Sequence, residues 1–341
     1  MECSVDRLKG QLKTGELDRL YIFHGEESYL REFYLKELQR VLLPEGLEDF
    51  NLDILPGEKL ALSALFSAAD SVPMMAERRL VIVNDFNVYA PGSGAEKGLL
   101  EFLEELPESV VLVFNFGSLA HKPDGRSKTT QAVRKLAQIV EFPYLKENQL
   151  IPWVTKYFQK NGKSIDYRAA ERLIFLCGNQ MQALRNEVGK LTAYVEGGSV
   201  TIGDVDALVT ADPEARVFDF VRLAAGGAQR KAALLLREIM ETDEPHVRIL
   251  SILSNQMLQL YTARLLLENR KTAARLASLF GMKSEYQAKQ LFETARKQNL
   301  PWLRNALNCC YQCDLNLKGR PGKERALELL LAQLFAYQPA R

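Results

Sequence analysis

The sequence is poor in the residues that catalysis most often uses and has no strong charge of either sign. Its 341 residues include three histidines, and 44 Lys and Arg residues nearly balance 43 Asp and Glu residues, for a formal net charge of +1 at pH 7. A chain so balanced has no overall field that would by itself attract nucleic acid or an anionic membrane. Any such contact must therefore be local.

Long apolar runs are absent too. No segment approaches the roughly 18 apolar residues that a membrane-spanning helix needs, and residues 1–4 carry no basic segment followed by an apolar core. Five cysteines, an odd number, argue for reduced thiols rather than a framework of disulfides. We therefore expect a cytoplasmic protein.

Three of the cysteines lie close together at Cys309, Cys310 and Cys313 and suggest a zinc site. Structural zinc takes four ligands, typically from spaced pairs, whereas this cluster offers three and the histidines lie in distant parts of the sequence. Apolar residues recur at helical spacing over residues 302–318. A cluster of buried thiols on one helix is the favoured interpretation, and no metal is predicted.

The first part of the chain alternates short apolar strands with helical patterns. The predicted strands are residues 21–24, 52–55, 80–84, 110–114 and 139–142. The predicted helices are residues 29–42, 60–70, 96–105 and 128–137. Such alternation indicates a parallel sheet, and right-handed crossovers place helices on both of its faces. We predict a three-layer α/β domain over residues 1–142.

After Pro143 the strand signal ends and every pattern predicts a helix. We place Pro152 in the first turn of a helix that reaches about Lys160. Residues 210–214 predict a linker, because Pro213 cannot continue a helix and its neighbours are small or polar. The sequence therefore predicts two all-α domains, a small one over residues 143–212 and a larger one over residues 213–341.

The turn after the first predicted strand lies where a nucleotide-binding fold has its phosphate loop. A working loop needs backbone N–H groups, a lysine for the phosphate charge and a hydroxyl for magnesium. Here Gly25 is followed by Glu26, Glu27 and Ser28. Two carboxylates would repel a polyphosphate at short range. The sequence thus predicts a degenerate loop that binds no nucleotide, and no other cofactor is expected.

Other catalytic motifs fail on inspection. The one Gly-Lys-Ser of the chain, residues 162–164, follows a predicted helix and favours a helix C-cap. The strand before Asp85 has Phe86 where an ATPase would carry a second acidic residue for magnesium. His24, beside the degenerate loop, is a candidate base, but packing at a strand end is the favoured interpretation. No catalytic residue is predicted.

Residues 68–79 contain two adjacent methionines after Pro73, which ends the preceding helix. One methionine in a turn can fold back on the core. Met74, Met75 and the nearby Val72 are harder to bury together, and Met-rich exposed patches are common at partner-binding surfaces. From the residues alone, packing in the core and anchoring to a partner both stay open.

Several segments resemble one family. The opening Gly-Glu-Glu-x-Tyr-Leu at residues 25–30 and the helix motif Asn-Glu-x-x-Lys-Leu at residues 186–191 together resemble the delta subunits of bacterial DNA polymerase III, which grip and open the sliding clamp. The resemblance extends over essentially the whole chain. It includes residues 21–30, 79–83, 183–191, 217–220 and 314–319.

The resemblance implies an AAA+-like module with a degenerate phosphate loop, a small helical lid domain and a helical collar domain. It implies a hetero-pentamer with gamma or tau and delta-prime subunits, which meets primed DNA as a complex, and no ATP hydrolysis by this chain. The clamp-binding residues would be Val72, Met74 and Met75, where relatives often carry a Leu-Phe pair. Asp70 lies where relatives can carry a Gln.

Two other classes of function remain as alternatives. The missing lysine disfavours an active AAA+ ATPase. The other is a helical adaptor or nucleic-acid-binding protein of a different replication or repair complex, although we find no stretch that interleaves basic and aromatic residues as single-strand platforms do. The basic residues Lys318, Arg320, Lys323 and Arg325 predict a solvated loop, with phosphate contact in the assembled loader as the alternative.

Overall fold

The computed structural model describes residues 2–3, 5–43, 45–92, 94–118, 120–282, 285–319 and 325–337. The chain divides into two compact units, Met1–Tyr144 and Leu145–Arg341, and each is described by itself. The further boundary near residue 212 stays a prediction. Within the described residues, no helix has the length and apolar character that crossing a membrane requires.

The first unit is built on a six-stranded sheet. Its strands are β1 (Glu2–Cys3), β2 (Leu20–His24), β3 (Leu52–Pro56), β4 (Arg79–Asn84), β5 (Val110–Asn115) and β6 (Gln138–Glu141). They lie in the order β1-β6-β2-β5-β4-β3, and all pairings are parallel. The chain leaves β2 for the far edge and returns on both sides of it as β5 and β6. The turn after β2 therefore lies at the switch point where such sheets bind ligands.

Helices cover both faces of this sheet. They are α1 (Val5–Thr14), α2 (Ser28–Leu42), α3 (Glu48–Asn51), α4 (Leu62–Asp70), α5 (Glu96–Glu104) and α6 (Lys128–Leu136). Because strand residues alternate between faces, Tyr21 and Phe23 pack with Leu38 of α2, while Ile22 packs in a separate core with Leu99 of α5. The predicted three-layer α/β architecture is confirmed. The elements β1, α1 and α3 are not predicted from the sequence.

The second unit is mainly helical. Its elements are α7 (Glu147–Lys160), β7 (Ser164–Ile165), α8 (Tyr167–Cys177), α9 (Met181–Tyr194), β8 (Ser199–Val200), α10 (Ile202–Leu208), α11 (Pro213–Ala225), α12 (Gln229–Met240), α13 (His246–Glu268), α14 (Ala273–Phe280), α15 (Glu285–Arg296), α16 (Leu300–Gly319) and α17 (Ala326–Ala336). Phe175 of α8 packs against the core formed by the later helices. This contact joins the small bundle to the larger one.

The predicted start of α7 is wrong. The helix begins at Glu147, so Pro152 lies inside it and not in its first turn. A proline in a helix interior removes one hydrogen bond and costs about 3 kcal/mol relative to alanine. Leu150, Val154 and Phe158 are fully buried on both sides of the proline. Their burial holds the helix on its core across the missing bond.

The pair β7 and β8 also departs from the sequence prediction of helices alone, because strands of two residues carry no recognisable hydrophobic period. Beside this pair, the Lys163 ammonium donates to the carbonyls of Val195 at 2.5 Å and Gly197 at 2.7 Å. The lysine of the Gly-Lys-Ser triplet therefore serves the protein's own backbone. Thr201 and Asp204 cap α10 by exchanging hydrogen bonds between side chain and backbone.

The cysteine cluster is buried, as predicted. Cys309, Cys310 and Cys313 lie on α16 as free thiols. Burial raises the pKa of all three thiols, that of Cys310 to about 12 and that of Cys313 to about 11. Such thiols stay protonated at neutral pH and are poor nucleophiles. In the described parts of the chain, no three His, Cys, Asp or Glu side chains form a group that could hold a metal.

Candidate functional site

The turn after β2 is closed by its own backbone. Gly25 has a φ of 120°, and a Cβ at this position would overlap the backbone of Phe142, so that a larger residue does not fit. The Glu27 N–H donates to the Phe142 carbonyl at 2.9 Å, and the Ser28 N–H donates to the Glu26 carbonyl at 3.1 Å. Two N–H groups that a bound phosphate would need are therefore used within the protein.

Glu27 supplies the negative charge at the start of α2. The residue is 2% exposed. Glu27 caps the helix, because its carboxylate accepts a hydrogen bond from the Tyr29 N–H at 3.1 Å. A helix N-terminus attracts anions because its N–H groups and its dipole both favour negative charge. The sequence predicts repulsion of phosphate by this residue. The structure adds that the carboxylate itself occupies the anion-binding end of the helix.

A buried arginine lies on the inner side of the same turn. Arg31 Nη1 donates to the Gly25 carbonyl at 2.6 Å. Burial lowers the pKa of the guanidinium, against the opposing effect of the negative charges on Glu32, Asp85 and Glu27. The cation therefore stabilises the turn from within. Arg31 does not stand out in the sequence, because an arginine on an amphipathic helix gives no sign of the backbone that it contacts.

A second polar group lies at the carboxyl ends of β4 and β5. The Asp85 carboxylate accepts hydrogen bonds from the Gly117 N–H and the Ser118 hydroxyl, both at 2.7 Å. The Asn115 amide donates to Asn84 Oδ1 at 2.7 Å. An ATPase uses carboxylates at this edge to hold magnesium. Here the carboxylate joins the loops that follow two neighbouring strands.

His24 packs against another histidine at the same edge of the sheet. The rings of His24 and His121 stack with centroids 3.8 Å apart, and His121 Nε2 lies 2.9 Å from the Tyr89 hydroxyl. Burial lowers the pKa of His121 to about 4, with smaller contributions from the positive charges of His24 and Arg134. Burial also raises the pKa of Tyr89 to about 12. These surroundings agree with packing at a strand end.

We expect acid to destabilise the protein through His121. An unfolded histidine has a pKa near 6.5, so between about pH 6.5 and 4 the unfolded state binds a proton that folded His121 does not. The free energy of unfolding should therefore fall as the pH falls through this window. In His121→Gln, which keeps a hydrogen-bonding group for Tyr89, the dependence on pH should be weaker. Urea titrations across the window measure it, with His246→Gln as the control. Equal slopes for wild type and His121→Gln would contradict the assignment.

The segment between α4 and β4 is exposed. Val72 is 85% exposed, Met74 is 50% exposed and Met75 is 81% exposed. Of the large apolar side chains that the structure describes, Val72 and Met75 are the most exposed. Packing in the core, which the sequence leaves open, therefore does not hold for these three side chains. We name residues 72–75 the anchor segment.

A buried asparagine holds the anchor segment by its backbone. The Asn51 amide nitrogen donates to the Met74 carbonyl at 2.9 Å and the Leu47 carbonyl at 3.0 Å, and its oxygen accepts from the Met74 N–H at 2.7 Å. Met75 then has a φ of 53°, which is uncommon for a residue with a side chain. The backbone is thus fixed where the side chains are exposed. Asn51 does not stand out in the sequence, because it lies 23 residues from Met74.

The predicted basic loop is described only in part. Lys318 lies in the last turn of α16, and its ammonium pairs with Asp314 at 2.7 Å. Arg325 is exposed immediately before α17. Arg320 and Lys323 lie outside the described residues. The carboxylate of Asp314 offsets part of the charge that Lys318 would offer to a phosphate.

The strand order, the helices on both faces and the closed turn after β2 define an AAA+-like module with a degenerate phosphate loop. Residues 21–143 match the family model described as DNA polymerase III, delta subunit. Residues 214–334 match the model for the C-terminal domain of the same subunit. Together the matches cover more than two thirds of the chain. The chain belongs to the DNA polymerase III delta subunit family, which confirms the resemblance seen in the sequence.

Individual relatives agree over nearly the whole chain. DNA polymerase III subunit delta of Bacillus subtilis is 25% identical over 331 residues, which cover 95% of this chain and 94% of that protein. A probable DNA polymerase III subunit delta of Aquifex aeolicus is 24% identical over 290 residues, covering 83% of this chain and 81% of the relative. The solved Bacillus subtilis DNA clamp loader delta protein has a TM-score of 0.57 at 23% identity, covering 98% of this chain and 100% of that one. This structural likeness shows a common fold.

Proposed function

We propose that this chain binds the sliding clamp and opens it for loading onto primed DNA during replication. One observation carries the proposal: the anchor segment presents Val72, Met74 and Met75 to solvent on a backbone that Asn51 fixes. Membership of the delta subunit family supports it. The proposal assigns clamp binding to these three exposed side chains.

The chemistry of the anchor segment suits insertion into an apolar pocket. Methionine side chains are flexible and polarisable, so they adapt to an irregular pocket. Aligned on a fixed backbone, they lose less conformational freedom on binding than they would on a mobile loop. Burying both thioether side chains should contribute on the order of 2 to 4 kcal/mol to clamp binding. That binding energy would hold the clamp in an open form.

Clamp binding by the isolated chain tests the proposal. We expect the full chain to retain the sliding clamp in a pull-down without nucleotide, because the anchor segment is exposed in the free protein. Added ATP should leave the amount of bound clamp unchanged. The alternative of an adaptor in another repair or replication complex predicts no retention of the clamp. Absence of binding by a correctly folded chain would therefore favour that alternative.

We also propose that the chain acts as a non-catalytic subunit that neither binds nor hydrolyses ATP. The Glu27 carboxylate occupies the end of α2 that would face a phosphate, and the N–H groups of the turn are bonded internally. Equilibrium dialysis with labelled ATP should show no saturable binding. The same preparation must bind the clamp, so that a misfolded sample is not mistaken for one that rejects ATP. Saturable binding in the micromolar range would contradict the proposal.

We propose residues 1–142 as the clamp-binding domain, residues 143–212 as the lid and residues 213–341 as the collar. The collar would join gamma or tau and delta-prime subunits in a hetero-pentamer that meets primed DNA in the cytoplasm. Its helices expose large apolar side chains of the kind that subunit interfaces bury. These are Leu234, Val247, Leu258, Leu279, Tyr311, Leu315 and Leu329. Lys318, Arg320, Lys323 and Arg325 would contact phosphate only within that assembly.

A further inference from the structure

Helix α7 carries aromatic and basic side chains on one face. Trp153, Lys156, Tyr157 and Lys160 occupy positions i, i+3, i+4 and i+7, which lie along one side of a helix. The rings of Trp153 and Tyr157 stack with centroids 5.3 Å apart and planes inclined by 20°. In the sequence, residues 154–155 and 158–159 interrupt this set. The helix brings the four side chains onto one side, an arrangement that the sequence prediction does not anticipate.

An arginine from a second helix extends this surface. Arg185 of α9 is exposed, and its Nε donates to the Tyr157 hydroxyl at 3.2 Å. The hydrogen bond fixes the guanidinium beside the stacked rings. We name Trp153, Lys156, Tyr157, Lys160 and Arg185 the aromatic-basic face. Because α7 and α9 both have buried inner sides, the face stands on rigid elements.

The charge of the aromatic-basic face has one sign. Lys156 and Lys160 are exposed, and neither forms an ion pair with any residue that the structure describes. The single acidic residue of α7, Glu147, is buried at the first position of the helix. The single acidic residue of α9, Glu187, pairs with Lys190 at 2.7 Å. The two helices therefore bring no exposed, unpaired carboxylate to offset the lysines.

We propose that the aromatic-basic face binds single-stranded nucleic acid. Bases without a paired strand stack on aromatic rings, and cations beside the rings neutralise the phosphates. A protein partner would neutralise the lysine charges only by supplying carboxylates. A nucleic-acid strand supplies aromatic bases for the rings and regularly spaced phosphates for the lysines together. The contact goes beyond the proposed function, because this chain makes it directly and through residues other than those of the anchor segment.

Fluorescence anisotropy with labelled oligothymidylate and the full chain tests the proposal. Trp153→Ala should weaken binding about 5- to 150-fold, since stacking on one aromatic side chain contributes about 1 to 3 kcal/mol per base. The double variant Lys156→Glu/Lys160→Glu should reduce the slope of log K against log salt by about 1.4, or about 0.7 for each lost phosphate contact. The control variant Arg230→Glu/Lys231→Glu changes the net charge by the same amount, but at two exposed side chains of α12. It should leave the slope of log K against log salt at the wild-type value. A duplex of the same length should bind more weakly.

Intrinsic fluorescence gives a direct readout. The chain has two tryptophans, Trp153 and Trp302, and Trp302 is buried in the core. Stacking of thymine on Trp153 should quench the emission of the wild type, and the quenching should disappear in Trp153→Phe, which keeps an aromatic ring at the position. Unchanged affinity in Trp153→Ala and in the double lysine variant would overturn the proposal. The proposal would also be overturned if these variants lost clamp binding but kept oligonucleotide binding, because the face would then be a protein interface. If the wild-type chain binds oligothymidylate but not the clamp, only the proposed function fails.

Discussion

Replacing Met74 and Met75 together by alanine should weaken clamp binding by roughly 30- to 1,000-fold, at about 1.4 kcal/mol per tenfold change in affinity. The melting temperature should change little. Met75 is largely solvated and Met74 is half exposed in the free protein, so their truncation leaves no cavity in the core. A buried methionine would behave differently, because its replacement by alanine typically costs about 2 to 5 kcal/mol of stability. Clamp affinity and thermal unfolding measured on one preparation separate the two cases.

Tyr194→Ala is the matched control for the methionine pair. Tyr194 is a large exposed side chain at the end of α9, outside the anchor segment. Its truncation removes exposed apolar area without touching residues 72–75, so clamp affinity should stay at the wild-type value. Unchanged affinity of the methionine variant would refute the assignment of the anchor segment. A loss of affinity in both variants would point to a nonspecific effect of surface hydrophobicity.

Asn51→Ala should weaken clamp binding at least about tenfold although Asn51 is buried and makes no contact with the clamp in this proposal. The substitution removes both hydrogen bonds that hold the Met74 backbone. The anchor segment then becomes ordered only on binding, and the lost conformational entropy weakens the affinity. The free energy of unfolding should also fall by about 1 to 3 kcal/mol, because buried polar groups of the backbone lose their partners. Binding measured by calorimetry should show a less favourable entropy than that of the wild type.

Asn84→Ala distinguishes lost order in the anchor segment from general destabilisation. Asn84 accepts a hydrogen bond from Asn115 at the end of β4, so its replacement also removes a side-chain hydrogen bond of the first unit. It leaves the bonds between Asn51 and Met74 in place. We expect lower stability with normal clamp affinity for Asn84→Ala. If its affinity falls as far as that of Asn51→Ala, the loss follows from stability and Asn51 has no positioning role.

The sequence predicts the central strands of the sheet well because they are buried on both faces. In a three-layer domain such strands are continuous apolar runs, as in residues 80–83 and 110–114, and these runs are easy to recognise. The second unit is predicted to be helical, and it is mainly helical. Several errors concern short or interrupted elements: β7 and β8 have two residues each, and Pro152 marks no helix start because packing overrides its local preference.

The sites are predicted less completely than the fold. The identities of Glu27, Met74 and Met75 already indicate a degenerate loop and an unusual turn. The residues that hold them, Arg31 and Asn51, do not stand out in the sequence, because their roles depend on backbone atoms that folding brings to them. The aromatic-basic face is not predicted from the sequence for a related reason, because Arg185 comes from a different helix than the other four residues. Long-range hydrogen bonds leave no local pattern in a sequence.

The carboxylate of Glu27 at the start of α2 is an intramolecular ligand, present at the same effective concentration whatever the surrounding solution contains. A switch that responds to nucleotide requires two conformations with different affinities for it, and the ligand can shift their populations only by that difference. Here the protein's own carboxylate lies at the anion position. If the chain binds no nucleotide, as proposed, nucleotide concentration has no free energy with which to change the shape of this turn. In the proposed assembly, this chain would then be the invariant member against which the subunits that exchange nucleotide exert their changes of shape.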